Sequence, residues 1–275
     1  MTIAVVTGSS TGIGYATAQR LAKDGHHVIA TMRNPSASDL PDQGIEVRAL
    51  DVNDHAAVNA LFSDVIATHG GVDILVNNAG VGQGGVVEDK SIDAFREIME
   101  TNFFGALACT KAVIASMRER RSGTIVNVTS QAGVLVMPSM GAYCASKYAL
   151  EAATEALAAE MWPFGVRVAL VEPGMILTPI WTKVDMTPPS EPYAPLMARF
   201  TSAVMHEMQR GSSPDVVADC IAEAISTDAP KLRWLTGYGA ARNVRLTREM
   251  SFEERANLWY DADDDEFNRL MLADE

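Results

Sequence analysis

Tyr143 and Lys147 are the residues of this chain best suited by type and spacing to move a proton. They stand four positions apart in Gly141-Ala-Tyr-Cys-Ala-Ser-Lys-Tyr, so on a helix they share one face, about one turn from each other. A free tyrosine, with a pKa near ~10, is a poor proton carrier at neutral pH. A lysine ammonium beside it favours the phenolate, and a tenfold change in acidity corresponds to about 1.4 kcal/mol of differential interaction. The pair is therefore a candidate general acid/base. A solvated helix face would use the same spacing, so the pair gains its force from the motifs around it.

The second chemical feature is Thr7-Gly8-Ser9-Ser10-Thr11-Gly12-Ile13-Gly14, which joins the first strand to the first helix. Gly8 lets the chain turn tightly; Gly12 and Gly14 let backbone approach a ligand and pack on the strand. The helix start presents free N–H groups and partial positive charge, a fit for a diphosphate. The position of this turn, at the first strand–helix junction, is the context a dinucleotide site requires.

Stepping along the chain, short Val/Ile-rich runs alternate with longer helical patterns. Strands are expected at Ile3–Thr7, His27–Thr31, Glu46–Asp51, Ile74–Asn77, Thr124–Thr129, Arg167–Glu172 and Arg233–Thr236. Helices are expected at Gly12–Lys23, His55–Thr68, Ile92–Arg118, Gly141–Trp162 and Pro214–Ser226. This alternation implies an α/β fold: a Rossmann-type, doubly wound parallel sheet of about seven strands with helices on both faces. One domain spanning 1–275 is expected. Pro179–Gly211, rich in proline and methionine, reads as too irregular for one regular element and too apolar for a linker. The extension after Gly239 looks helical around Ser251–Tyr260, and its acidic run Asp261–Glu266 reads as a solvated tail.

The 275 residues are 48% hydrophobic, enough for a large core without disulfide staples. The net charge of −13 argues against nucleic acid or an anionic membrane as partner. Cys109, Cys144 and Cys220 fit no zinc or redox spacing, which suggests a reduced cytoplasmic protein. The five histidines do not cluster with acids at metal-ligand spacing, so no metal is expected. The chain opens on a strand without a charged, apolar leader pattern, so no secretion signal is expected, and it has no apolar run long enough to span a bilayer.

With Asn77-Asn78-Ala79-Gly80 after the fourth strand, the glycine spacing resembles the short-chain dehydrogenase/reductase family. The resemblance runs from Ile3 to about Tyr238. It includes Asn102 in Thr101-Asn-Phe-Phe-Gly105, Ser130 thirteen positions before Tyr143, and Pro173-Gly174-Met-Ile-Leu-Thr178. It implies that Tyr143 exchanges a proton with the substrate oxygen, while Lys147 holds the nicotinamide ribose and depresses the tyrosine pKa. Ser130 would bond the substrate oxygen, and Asn102 would hold a water on the proton relay. A developing oxyanion needs such preplaced donors, one of which delivers a proton. Gly8, Ser10, Gly12, Ile13 and Gly14 would cradle the diphosphate. Asp51 and Val52 would contact adenine; Asn78, Ala79 and Gly80 would run beside its ribose; Asn77 would brace the sheet. Pro173, Gly174, Ile176 and Thr178 would line the nicotinamide.

Cofactor preference should be read at the end of the second strand. Thr31 stands there in place of the acid that would bind both ribose hydroxyls, and Arg33 follows two residues later. An arginine fork suits a 2′-phosphate, so NADP(H) is favoured, with NAD(H) as the alternative. The basic residue that many NADP enzymes of this family carry before the second glycine is Thr11 here. Pro179–Gly211 falls where the family keeps its substrate lid, and Trp181, Met186, Tyr193, Met197, Phe200 and Met205 make it apolar. A hydrophobic alcohol or ketone is the expected substrate. Ala30-Thr-Met-Arg-Asn-Pro35 and Val171-Glu-Pro-Gly174 look most like the 17β-hydroxysteroid-dehydrogenase-like branch. In the family the alanine-rich helix from Gly141 and the helix through Asn102 form a dimer interface, often doubled into a tetramer. Other readings of the same motifs are a non-catalytic dinucleotide sensor and an epimerase or dehydratase that uses bound nicotinamide.

Overall fold

A computed structural model describes residues 1–228, 231–260 and 263–271. Nine strands are present among them: β1 Ile3–Thr7, β2 His27–Met32, β3 Ile45–Ala49, β4 Ile74–Asn77, β5 Gln83–Gly84, β6 Gly123–Val128, β7 Val166–Pro173, β8 Asp185–Met186 and β9 Arg233–Thr236. The helices are α1 Gly12–Lys23, α2 His55–His69, α3 Ile92–Met99, α4 Ala106–Arg120, α5 Gly141–Met161, α6 Ala194–Arg210, α7 Pro214–Ser226, α8 Ala240–Glu249, α9 Phe252–Tyr260 and α10 Asp264–Met271. Seven strands form one sheet in the order β3-β2-β1-β4-β6-β7-β9, every pair parallel.

Parallel strands buried on both faces read as continuous apolar runs, and β1, Ile3-Ala-Val-Val-Thr, is buried throughout. Its side chains alternate between two cores. Ala4 and Val6 meet Leu21 of α1 and Ile221 of α7. Ile3 and Val5 join Phe62 of α2 and Val113 of α4 on the other face. The strand order reverses between β1 and β4, and in such sheets ligands bind in the crevice beyond the strand ends at that point.

The single helix expected over Ile92–Arg118 is interrupted. A π-helical turn, Glu100–Gly105, joins α3 to α4 and contains Asn102. Sequence periodicity does not register one extra residue in a continuous helix. Pro179–Gly211 also departs from expectation, because half of it is the regular helix α6, entered at a proline in its first turn. Of the acidic run expected as a tail, Asp261 lies outside the described residues, and from Asp264 the chain forms α10. That helix docks by Phe267, which is buried edge-on against Trp259 at 5.3 Å. α6, α9 and α10 thus share a third core with Met140 and Cys144 at the start of α5. Among the described residues, no helix is long and apolar enough to cross a membrane.

Candidate active site

A cleft of about 400 Å³ opens at the C-terminal ends of β1 and β4. The glycine turn forms its floor at one end. Gly8 has φ +69°, and a Cβ there would stand 2.7 Å from the Ala79 Cα. Gly12 has φ +62° and packs under Thr178. Only glycine meets both demands at Gly8, positive φ and backbone approach. Thr11 caps α1 without a side-chain hydrogen bond, and no acid stands in the first turn. The first N–H groups of α1 are therefore open to an anion. These features fit a dinucleotide diphosphate.

β1 and β4 are stitched together at their ends. The Thr7 Oγ1 accepts from the Asn78 and Ala79 N–H groups at 3.0 and 3.1 Å. The Asn78 Nδ2 donates to the Thr7 and Gly8 carbonyls at 2.9 and 3.1 Å. Asn78, Ala79 and Gly80 line the cleft, together with Gly8, Ser10, Gly12, Ile13, Arg33, Asp51, Val52, Pro173, Gly174, Ile176 and Thr178. Gly14 does not. A side chain there would strike Asn78 and the Gly8 carbonyl, so Gly14 supports the turn from behind. Asn77 is buried in the sheet, its Nδ2 donating to Asn127 Oδ1 at 2.8 Å and Thr110 Oγ1 at 3.0 Å. Arg33 is exposed at the cleft edge, whereas Thr31 is buried with its hydroxyl towards the Val6 carbonyl.

Ser130, Tyr143 and Lys147 line the same cleft. Ser130 follows β6, and its hydroxyl accepts from the Ala132 N–H at 3.1 Å and faces the Tyr143 phenol. Lys147 is buried on α5, and its Nζ donates to the Val128 carbonyl at 3.1 Å and lies 5.9 Å from the Tyr143 ring centre. Burial pushes the Lys147 ammonium down to about 8, against the Glu151 carboxylate one turn along. Burial also pushes the Tyr143 phenol up to about 12, against the pull of Ser130. Desolvation dominates the Tyr143 shift, and the lysine-driven depression expected from the sequence does not figure among its causes. Neutral phenol is the form that can give a proton to a ketone oxygen.

Asn102 stands behind the cleft wall, fully buried. Its Oδ1 accepts from the Val81 N–H at 2.8 Å, and its Nδ2 donates to the Val81 carbonyl and the Ser146 Oγ, each at 3.0 Å. Ser146 in turn donates to the Tyr143 carbonyl at 2.7 Å. The Asn102 side chain thus ties the loop after β4 to α5.

The far half of the cleft holds residues that sequence reasoning missed. Val204 of α6, Leu246 of α8 and Leu258 and Trp259 of α9 join the expected Phe200 in an apolar wall. Of the lid residues expected, Trp181 and Phe200 line the cleft, Tyr193 and Met197 pack in the third core, and Met186 and Met205 are exposed. A polar network closes the bottom. Asn243 Nδ2 donates to Gln131 Oε1 at 2.9 Å and Glu207 Oε1 at 3.2 Å, and Arg242 donates to Glu207 at 2.8 Å. The signal was an Arg-Asn pair inside an amphipathic stretch, which carries no spacing rule.

The profile of the short chain dehydrogenase family matches residues 2–188. A 3-ketodihydrosphingosine reductase of Bacteroides thetaiotaomicron is 35% identical over 238 residues, covering 86% of this chain and 87% of that protein. Human 17-beta-hydroxysteroid dehydrogenase type 1 is 33% identical, covering 86% and 77%. A short-chain dehydrogenase structure from Streptomyces avermitilis superposes with TM-score 0.83 at 34% identity, covering 94% of each chain. An alcohol dehydrogenase from Thermococcus sibiricus, complexed with 5-hydroxy-NADP, gives 0.71 at 26%, covering 86% and 96%. A nucleotide-binding turn and a Ser-Tyr-Lys set in one cleft agree with these likenesses, and the chain belongs to the short-chain dehydrogenase family of oxidoreductases.

Proposed function

We propose that this protein is an NADP-dependent carbonyl reductase or alcohol dehydrogenase acting on hydrophobic ketones or alcohols. The observation that carries the reading is the convergence of Ser130, Tyr143 and Lys147 on the cleft that the glycine turn floors. A bound nicotinamide supplies or accepts the hydride. Tyr143, held neutral by burial, gives its proton to the substrate oxygen in reduction. Ser130 donates a hydrogen bond to the same oxygen and stabilises its developing charge. Lys147 holds the ribose hydroxyls and places a cation under the phenol. Asn102 keeps α5 in register with the loop after β4, which fixes the tyrosine.

NADP is favoured because Arg33 reaches the cleft edge and no acid ends β2. The Thermococcus sibiricus neighbour was solved with an NADP derivative. The apolar wall of α6 and α9, and the ketosphingosine and steroid substrates in the names of two relatives, support a hydrophobic ketone. We assign 179–211 and the helices after Gly239 jointly as the substrate lid. Ala145, Ala152, Ala156 and Ala159 form an exposed small-residue stripe on α5, which supports a homodimer or homotetramer through that helix. The free cysteines fit a cytoplasmic setting.

The test is nicotinamide absorbance with a panel of aliphatic, aromatic and steroidal ketones, run with NADPH and NADH. Turnover of apolar ketones with NADPH is expected. Turnover confined to small polar carbonyls would overturn the substrate class. Cofactor binding without turnover would indicate a sensor, and conversion without net cofactor change an epimerase.

A further inference from the structure

His27, Glu46 and His69 are far apart in sequence and meet at the end of the sheet opposite the active site. The register explains the meeting. Ile29 pairs with Glu46 across the β2–β3 ladder, and His27 lies two residues before Ile29. Alternation puts all three side chains on one face of the sheet. That face is the one α2 covers, since Ile29 packs with Phe62 and Val65. α2 runs down it and ends with His69 in its last turn, capped by Gly70 at φ +82°.

The ligand atoms of the three residues lie within 4.8 Å of one another. His27 Nε2 is buried and has no hydrogen-bond partner among the described residues. Glu46 Oε2 is 3.7 Å away, too far for a hydrogen bond. Two ligands of a tetrahedral zinc, each about 2.0–2.1 Å from the metal, stand roughly 3.4 Å apart. The gap that is too wide for a proton is therefore close to what a metal ion would bridge. The other Glu46 oxygen accepts from Arg48 at 2.9 Å, which fixes the carboxylate, and Arg48 is itself offset by Asp64 at 2.8 Å. The partial negative charge at the C-terminus of α2 also favours a cation beside His69.

We propose that His27, Glu46 and His69 bind one divalent transition-metal ion of the zinc class. Two imidazoles and one carboxylate suit zinc, nickel or copper and not magnesium or calcium, which take oxygen ligands. Water completes the coordination at the exposed side. The ion ties the edge strand β3 and the end of α2 to β2, and so acts on the stability of that edge. The cluster lies roughly 17 Å along β2 from the cleft, counted at about 3.3 Å per residue, so catalysis does not run through it.

The experiment is calorimetric titration of the chelator-treated, full-length protein with zinc chloride, and with magnesium chloride as the comparison. One saturable zinc site per chain is expected, with no heat from magnesium. His69→Ala and Glu46→Gln should each weaken zinc binding by more than about tenfold and leave ketone turnover unchanged. Zinc should raise the Tm of the native protein and not that of His69→Ala. Glu46→Gln changes one atom of a half-buried side chain on the edge strand, so it remains a folded control should His69→Ala misfold. Absence of saturable zinc binding would overturn the proposal, as would binding that both variants retain at native affinity.

Discussion

Glu151 of α5 and Glu172 of β7 accept from the same Arg233 nitrogen, each at 2.5 Å. Both carboxylates are buried, at 4% and 2% exposure, and one guanidinium faces two of them. Burial, then the Glu151 charge, push the Glu172 carboxyl up to about 7, against Arg233. An acid whose folded pKa lies above its unfolded value of 4.5 binds protons more tightly when folded. Its protonated form stabilises the fold below about pH 4.5, and that stabilisation is lost as pH rises through about 7. Glu172→Gln keeps the neutral form at every pH. Its Tm relative to the native protein should therefore be higher at pH 8 than at pH 5.5, by several degrees for a difference on the order of 1–2 kcal/mol. A pH-independent offset measured by thermal melts would show that Glu172 is already ionised throughout.

Glu151 also faces Lys147 one turn back on α5, and its charge holds the lysine pKa up against burial. Glu151→Gln removes that charge, so the Lys147 ammonium should lose its proton at lower pH. In the native enzyme, kcat/KM for ketone reduction should fall as pH rises through about 8. In Glu151→Gln that alkaline limb should move to lower pH, while the activity plateau at pH 6 is retained. A limb that stays in place would separate Glu151 from the lysine.

Much of this arrangement was legible in the sequence. The strands Ile3–Thr7, Ile74–Asn77 and Arg233–Thr236 are found with those bounds: the first two are buried apolar runs bounded by polar residues or turns, whereas the third is an edge strand in which Trp234 is buried and Leu235 exposed. Ser130, Tyr143 and Lys147 were found by spacing because two of them share a helix and the third ends the adjoining strand. The Glu151–Arg233–Glu172 cluster was not legible. It joins residues from α5, β9 and β7, and no local pattern marks a buried acid as distinct from a solvated one. Asn102 was found as a residue but not in its bonding, since the π-helical turn that aims it is invisible to helical periodicity. The C-terminal wall was missed for a similar reason: Trp259 looks like any apolar residue of an amphipathic helix until α9 is seen against α6.

Tyr143→Phe removes the phenolic proton and leaves the ring that packs beside Met140 and Cys144. Cofactor binding should persist with Kd within about twofold, while kcat falls by roughly 10²–10⁴, the usual contribution of a general acid. Fluorescence titration and steady-state rates would check both halves. Full activity in the variant would remove Tyr143 from the chemistry.

Arg33→Ala should raise the KM for NADPH by about 10–100-fold, since a hydrogen-bonded charge at a phosphate is worth roughly 1.5–3 kcal/mol. The KM for NADH should change little, because the adenine ribose of NADH carries no phosphate there. Arg33 is exposed and forms no part of the three cores, so the fold should be unaffected. Equal changes for both cofactors would mean that Arg33 does not read the phosphate.

Trp259→Ala tests the lid. The indole is 7% exposed, lies 6.5 Å from the Phe200 ring and 5.3 Å from Phe267, and lines the apolar half of the cleft. Truncating such a residue costs about 3–5 kcal/mol of local packing. The two cores that hold the sheet are separate from the cluster around Trp259, so the loss should fall on α9, α10 and their contact with α6. The KM for large apolar ketones should rise by about tenfold or more, with the KM for NADPH unchanged, and proteolysis should begin within the C-terminal helices. If both KM values rise together, the C-terminal helices support the whole cleft and do not serve as the substrate wall. If neither moves, substrate is held elsewhere and the lid assignment fails.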